Sequence, residues 1–343
     1  MRRHPIGQDG TGLIEVMISV TLGLLLLVAL LAAYNDSKAT FRVQDSVSRL
    51  QENARYAIHL ISRDLRMAGY RGCVRDSTVA SIKNTLNTSS AFLYDFETPV
   101  QGFEGNTNGS WTPALDTSLT SVTPGTDVLV IRGTPDNSAF IRQEMPTTSA
   151  DLKLSDNLNP KPVEIGDIVM ISDCLGSAIF QITHYTVSNG NIVHNTGVVV
   201  PPPGNATQDL GRRYPVGSRL FKVSTTRYFI RASSNSSSPA LWRRVGDAAA
   251  QELVEGVQNM QIQYGVDSDG DLMPNSYVNA STSPNFRNVV SVRIALLFRS
   301  LEIASTDRDP RSFTLLDRSV GPFNDGRMYQ VMTTTITLRN KAL

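Results

Sequence analysis

The stretch Leu13-Ile14-Glu15-Val16-Met17-Ile18-Ser19-Val20-Thr21-Leu22-Gly23-Leu24-Leu25-Leu26-Leu27-Val28-Ala29-Leu30-Leu31-Ala32-Ala33 decides how the chain is read. Its 21 residues carry one charge, Glu15. At about 1.5 Å of rise per residue they make a helix of roughly 30 Å, which matches the hydrocarbon layer of a bilayer. Ahead of it stand Met1, Arg2, Arg3 and His4, a short basic flank expected to stay cytoplasmic while the long C-terminal part is exported. An ordinary secretory signal has its small-residue cleavage site after the apolar core. Here the polar stretch Gly7-Gln8-Asp9-Gly10 comes before the core, where a cut would leave the membrane helix on the mature chain.

Outward from that core the helix is expected to continue. No proline interrupts residues 34–68, and from Phe41 onward Val43, Val47, Leu50, Ala54, Ala57/Ile58, Ile61, Leu65 and Ala68 return every three or four positions. Arg42, Asp45, Arg49, Glu52, Arg55, Arg63 and Asp64 fill much of the remaining circumference. The spacing predicts one helix from about residue 12 to 68, amphipathic in its second half and stopped by Gly69 and Gly72.

The motif Gly10-Thr11-Gly12-Leu13-Ile14-Glu15-Val16 resembles the class III signal of type IV prepilins and related pseudopilins. The resemblance implies that a membrane prepilin peptidase cuts after Gly10 and methylates the new N-terminus at Thr11, removing residues 1–10 as a leader. Thr11 stands where the family usually has phenylalanine, and Gly12 where threonine or serine is common. Glu15 then occupies the fifth mature position, where the family's glutamate approaches the N-terminal amine of a neighbouring subunit. A bare carboxylate at membrane depth is costly, and an amine together with the positive end of a helix offsets that cost.

Beyond Cys73 the composition shifts to Thr, Ser, Asn, Gly and Pro with short β-rich runs at residues 127–131, 167–171, 178–185, 220–223, 226–230, 258–264, 289–299 and 330–339. Residues 104–113, 195–213 and 233–239 read as loops. The order predicts an α+β fold in which a long N-terminal helix packs on a largely antiparallel sheet with elaborated loops. Residues 11–33 form the transmembrane and assembly half. Residues 34–343 form the exported head, with the amphipathic helix over 34–68 and the β-rich region over 74–343.

Leu253-Val254-Glu255-Gly256-Val257-Gln258-Asn259-Met260-Gln261-Ile262-Gln263-Tyr264-Gly265-Val266-Asp267 resembles a segment of PilW-type minor pilins. So do residues 68–73, Asp173-Cys174, residues 292–297 and residues 333–340. This resemblance implies a pilin-like fold and a low-abundance, non-enzymatic subunit of the type IV pilus serving adhesion and twitching motility. Its expected partners are other minor pilins, the major pilin, a large pilus-tip protein, the prepilin peptidase and the inner-membrane assembly platform. It is expected in the inner membrane with a periplasmic head, and then in the pilus, at its tip. A pseudopilin of a type II secretion apparatus shares the signal and the helix and is the alternative.

The remaining chemistry is sparse. The chain has 32 basic and 31 acidic side chains; removing residues 1–10, with two basic and one acidic, leaves 30 of each. No basic field recommends a nucleic-acid partner. Cys73 and Cys174 are the only cysteines, and in an oxidising compartment they are expected either to form a disulfide or to remain two buried thiols. Asp267, Asp269 and Asp271 alternate around Gly270 and offer oxygens of the kind calcium requires, though the bidentate glutamate of an EF-hand is missing. The same Asp-Gly sequence is a strong hairpin-turn signal. His184 and His194 flank the turn at residues 188–191 and could face one another across a hairpin. No phosphate-cradling loop or nucleophile elbow occurs, and no cofactor is expected besides calcium.

Overall fold

The computed structural model describes residues 12–74, 82–134, 138–197, 201–304 and 308–341. Helix α1 (Leu13–Arg66) is continuous over 54 residues, as the unbroken pattern predicts. Arg63 and Arg66 in its last turn meet the negative end of the helix dipole. Gly69, with φ of +67°, turns the chain away in a conformation that a side chain would resist. Leu50, Ala54, Ala57, Ile61 and Leu65 form the buried stripe of α1, so the head covers only its last four or five turns. The amphipathic pattern begins at Phe41, but Phe41 is 69% exposed; Val43 and Val47 are half-buried and full burial starts at Leu50.

Four strands follow: β1 (Ile82–Asn84), β2 (Val100–Gly105), β3 (Trp111–Thr112) and β4 (Val128–Gly133). Then come β5 (Ser138–Phe140), β6 (Leu152–Lys153), β7 (Ile168–Asp173), β8 (Gly176–Gln181), β9 (His184–Thr186), β10 (Asn191–Val193) and β11 (Arg219–Lys222). The chain continues through β12 (Ser224–Ala232), β13 (Pro239–Val245), β14 (Gln251–Glu255), β15 (Val257–Val266), β16 (Ser276–Val278) and β17 (Val289–Arg299). A small hairpin, β18 (Phe313–Leu315) with β19 (Arg318–Val320), precedes β20 (Tyr329–Thr337).

Two sheets form the main head, one ordered β14-β13-β12-β4-β2-β3 and the other β16-β15-β17-β20. Gly256, at φ of +82°, lets the chain step from β14 in the first sheet directly into β15 in the second. Leu50, Ala54, Ile61 and Leu65 of α1 join Leu129, Ile131, Ile230, Met260, Ile294 and Leu296 in one core. Tyr228 Oη donates to Asp64 Oδ2 at 2.6 Å and fixes the helix over the first sheet.

Strands β4 and β12 are antiparallel neighbours, with Arg132 opposite Thr225. The described residues between them are therefore an insertion, and together with β1, which precedes β4, they form a second lobe. The sheet β1-β8-β7-β11-β5 and the smaller sheet β6-β10-β9 enclose a second core around Leu152, Ile171, Phe180, Tyr214 and Leu220. Among the described residues every named ladder is antiparallel except β1 on β8. Residues 195–213, among those described, carry no named strand, as expected. Residues 104–113 do not form a simple loop: Glu104 pairs with Thr112 and Gly105 with Trp111 in a hairpin, where Trp111 Nε1 donates to the Thr126 carbonyl at 2.9 Å.

Candidate assembly surface, cystine and acidic turn

Gly10 and Thr11, the expected processing residues, lie outside the described residues. Glu15 stands in the first turn of α1, where Gly12 opens the helix in an extended conformation without a side-chain cap. The first-turn amides therefore keep the partial positive charge that favours an anion there. Ser19 Oγ donates to the Glu15 carbonyl at 2.7 Å, and Thr21 Oγ1 donates to the Ile18 carbonyl at 2.8 Å. These hydroxyls are absorbed by the helix itself. That leaves the Glu15 carboxylate as the polar side-chain group projecting from an otherwise apolar rod, and among the described residues no cation meets it. The apolar residues around it are open, Leu13 at 77% and Ile14 at 71% exposure. Among the described residues one helix is thus long and apolar enough to cross a membrane, with its apolar half free of the head.

Cys73 and Cys174 form a disulfide, their Sγ atoms 2.29 Å and their Cα atoms 4.8 Å apart. Both residues are exposed, which removes the alternative of two buried thiols. Cys73 follows Gly72, which adopts φ of +72° beside Ser172, and Cys174 lies in the turn joining β7 to β8. Around the bond, Ser172 Oγ donates to the Arg71 carbonyl at 2.6 Å and Arg212 pairs with Asp173 at 2.9 Å. The link therefore joins the helix exit to the inserted lobe.

Asp267, Asp269 and Asp271 occupy the β15–β16 connection, with one carboxylate oxygen from each lying within 4.8 Å of the others. Such a group can coordinate a hard cation. The turn already uses these oxygens: Asp267 Oδ1 accepts the N–H groups of Asp269 and Gly270 at 3.1 and 2.6 Å, and Oδ2 accepts that of Leu272 at 2.9 Å. The Gly270 N–H chiefly, with those of Leu272 and Asp269, holds the Asp267 carboxyl below its ordinary range.

The two histidines do not face one another. His184 is opposite Val193, so His194 falls on the other side of the pleat. His184 is exposed, whereas His194 is buried against Phe180, 4.9 Å between ring centres, with Nε2 3.0 Å from the Gln208 carbonyl. Burial lowers the His194 pKa, outweighing the raising effect of that carbonyl.

Sequence reasoning missed Asp127, the first residue of a run it read only as a strand. Its carboxylate accepts Gly105 N–H at 2.9 Å and Ile262 N–H at 2.8 Å, and its own N–H donates to the Met260 carbonyl, so it binds the first sheet to the second. Burial foremost, then the charge of Glu104, pushes its pKa well up. The only sequence signal is an acid heading an apolar strand. Buried Arg132 is likewise spent on structure, donating to the carbonyls of Thr98 and Phe92. Among the described residues these groups do not converge on a catalytic arrangement.

No curated protein matches the chain. Residues 227–340, which run from within β12 past the end of β20, match the model of the PilW family, described as Type IV Pilus-assembly protein W; this C-terminal third is similar to that family, and the free apolar half of α1 beside mostly antiparallel sheets is consistent with a minor-pilin architecture.

Proposed function

We propose that this protein is a low-abundance structural subunit of a type IV pilus that joins other minor pilins in a priming complex at the filament tip. The observation that carries the reading is α1 itself: one unbroken helix whose first half is bare and apolar and whose second half is built into sheets whose later strands, within residues 227–340, match the PilW family. In this reading the N-terminus is cytoplasmic and the head periplasmic. The prepilin peptidase cuts after Gly10, and the new Thr11 amine is methylated. A cation held close to Glu15 offsets the cost of a carboxylate in hydrocarbon, and the N-terminal amine of an adjacent subunit is such a cation. The bulky head, enlarged by the inserted lobe, is easier to seat at a tip than at repeated positions in a packed shaft. The major pilin, a large tip protein and the assembly platform complete the set of partners.

The test is Glu15→Gln, which keeps the volume and removes the charge. Membrane insertion, a Thr11 terminus by mass spectrometry and protease resistance of the head are expected to persist. Recovery of other minor pilins with the protein, and surface filament number, are expected to fall. Unchanged recovery and filament number would refute the role given to Glu15. Co-purification with secretion-system subunits instead of pilus subunits would move the protein to the type II pseudopilus.

A further inference from the structure

The sheet ends differ in one respect. Among the described residues nine of the ten edge strands are short: β1, β5, β9, β16, β18 and β19 have three residues each, β3 and β6 have two and β14 has five, including Glu252 and Glu255. The tenth, β20, has nine residues, Tyr-Gln-Val-Met-Thr-Thr-Thr-Ile-Thr, with no charge and no proline, and its pairing with β17 has no bulge. Short strands, charges, prolines and bulges are the devices that keep an edge from pairing with another chain, and β20 uses none of them.

One face of this strand is covered along its length and the other only at its start, with Thr333, Thr335 and Thr337 exposed. Met328, Met332 and Ile336 share the core with α1, while Tyr329 and Val331 pack with Phe313 and Leu315 of the β18–β19 hairpin. The edge is not covered. Ser300 N–H bonds the Met328 carbonyl and Leu338 N–H bonds the Val290 carbonyl, which sets the phase of the ladder. Residues 330, 332, 334 and 336 therefore bond to β17, and the N–H and C=O groups of Tyr329, Val331, Thr333, Thr335 and Thr337 point away from it. Among the described residues no backbone group outside the ladder meets them.

We propose that this edge is a docking strand, completed in the assembled protein by an extended strand from a different polypeptide. The chemistry specifies the occupant: donors and acceptors alternating at every second residue over roughly 30 Å are matched by another β-backbone and by little else. A second copy of this chain paired antiparallel does not fit. Asn340 Nδ2 donates to the Arg66 carbonyl, and Ser300, bonded to Met328, lines a groove with Leu50 and Asn53, so β20 runs in the same direction as α1. Antiparallel self-pairing would point the two apolar helix halves in opposite directions, and one membrane could not hold both anchors in one orientation. The partner is accordingly another subunit of the assembly, which rests on the reading of α1 as a membrane anchor.

Residue-resolved hydrogen exchange tests this on the full chain, in detergent alone and in the native assembly recovered from membranes. The amides of residues 330, 332, 334 and 336 are internal controls and should be slow in both. Those of Val331, Thr333, Thr335 and Thr337 should exchange freely in the isolated chain and slow by about tenfold or more in the assembly. Thr333→Pro removes an outward N–H without touching the ladder, whereas Thr333→Val keeps it. T333P should lower partner recovery roughly five- to tenfold, the loss expected for one backbone bond and its geometry, and T333V should not. Free exchange at the odd-numbered positions in the assembly overturns the proposal even if T333P fails to fold, and so does slowing that appears in the isolated chain as its concentration rises. Mass spectrometry of the same preparation identifies the partners. Absence of pilus subunits would refute the proposed function, whereas their presence beside unprotected odd-numbered amides would refute the docking strand alone.

Discussion

Replacing Cys73 and Cys174 together with serine removes a covalent link between residues 101 apart in sequence. In the chain-entropy account, a closed loop of that length restricts the unfolded ensemble by about 4.7 kcal/mol at 25 °C. The native state should change little, because the Ser172 to Arg71 hydrogen bond and the Arg212–Asp173 pair hold the same junction without the bond. The double variant C73S/C174S is therefore expected to lose about 3–5 kcal/mol of unfolding free energy, almost all of it through the unfolded chain. Urea unfolding of the detergent-solubilised full chain, followed by tryptophan fluorescence from Trp111 and Trp242, measures this. C73S and C174S singly should each reproduce the double variant, since either removes the whole link. A loss below about 1 kcal/mol would show that the intervening segment stays collapsed when unfolded, and the entropic reasoning would be wrong.

Gly102→Ala places a Cβ 1.9 Å from Tyr264 Oη, inside the close approach of the two sheets; because Tyr264 is fully buried and cannot retreat, thermal unfolding should show a loss of about 1–3 kcal/mol. The lowered pKa of His194 means that the unfolded chain binds a proton that the fold refuses. The associated stability is present above pH 6.5 and declines as pH falls from there toward the lowered native value, with a slope of at most about 1.4 kcal/mol per pH unit; His194→Gln should flatten it in urea titrations between pH 7.5 and 5.5. In Asp267→Asn the turn keeps one acceptor oxygen, so the Leu272 amide should exchange faster. If Asp267, Asp269 and Asp271 bind calcium, adding the ion to the wild type slows those amides and a chelator reverses the effect.

Local periodicity made α1, its stop at Gly69 and strands such as β7 and β17 legible, because three- to four-residue and two-residue patterns are written in neighbouring residues. The reach of the head along α1 was not legible. Val43 and Val47 continue the apolar stripe but are only half-buried, and where full burial begins, at Leu50, depends on contacts with strands distant in sequence. Strand β2 escaped because Gly102 and Gly105 lack the bulk of a strand signal; both are small where Tyr264 and the Thr126 backbone crowd them. The pairing of β4 with β12 depends on a contact across the whole inserted lobe and has no local mark. The histidine pair failed by a single position, since a turn of known location does not specify which residues lie opposite. The acidic turn and the cysteine link were both visible as alternatives, and geometry chose between them for the cysteines.

The bond between Cys73 and Cys174 also determines how a pull travels through the molecule. Tension entering along α1 reaches Cys73 and crosses at once to Cys174, so residues 74–173 are left slack whenever the far grip lies beyond Cys174. At about 3.3 Å per extended residue, roughly 330 Å of contour length is withheld from a stretched subunit. The oxidised protein therefore yields only by peeling the segments that follow Cys174, and β1 to β7 are carried along as untensioned cargo.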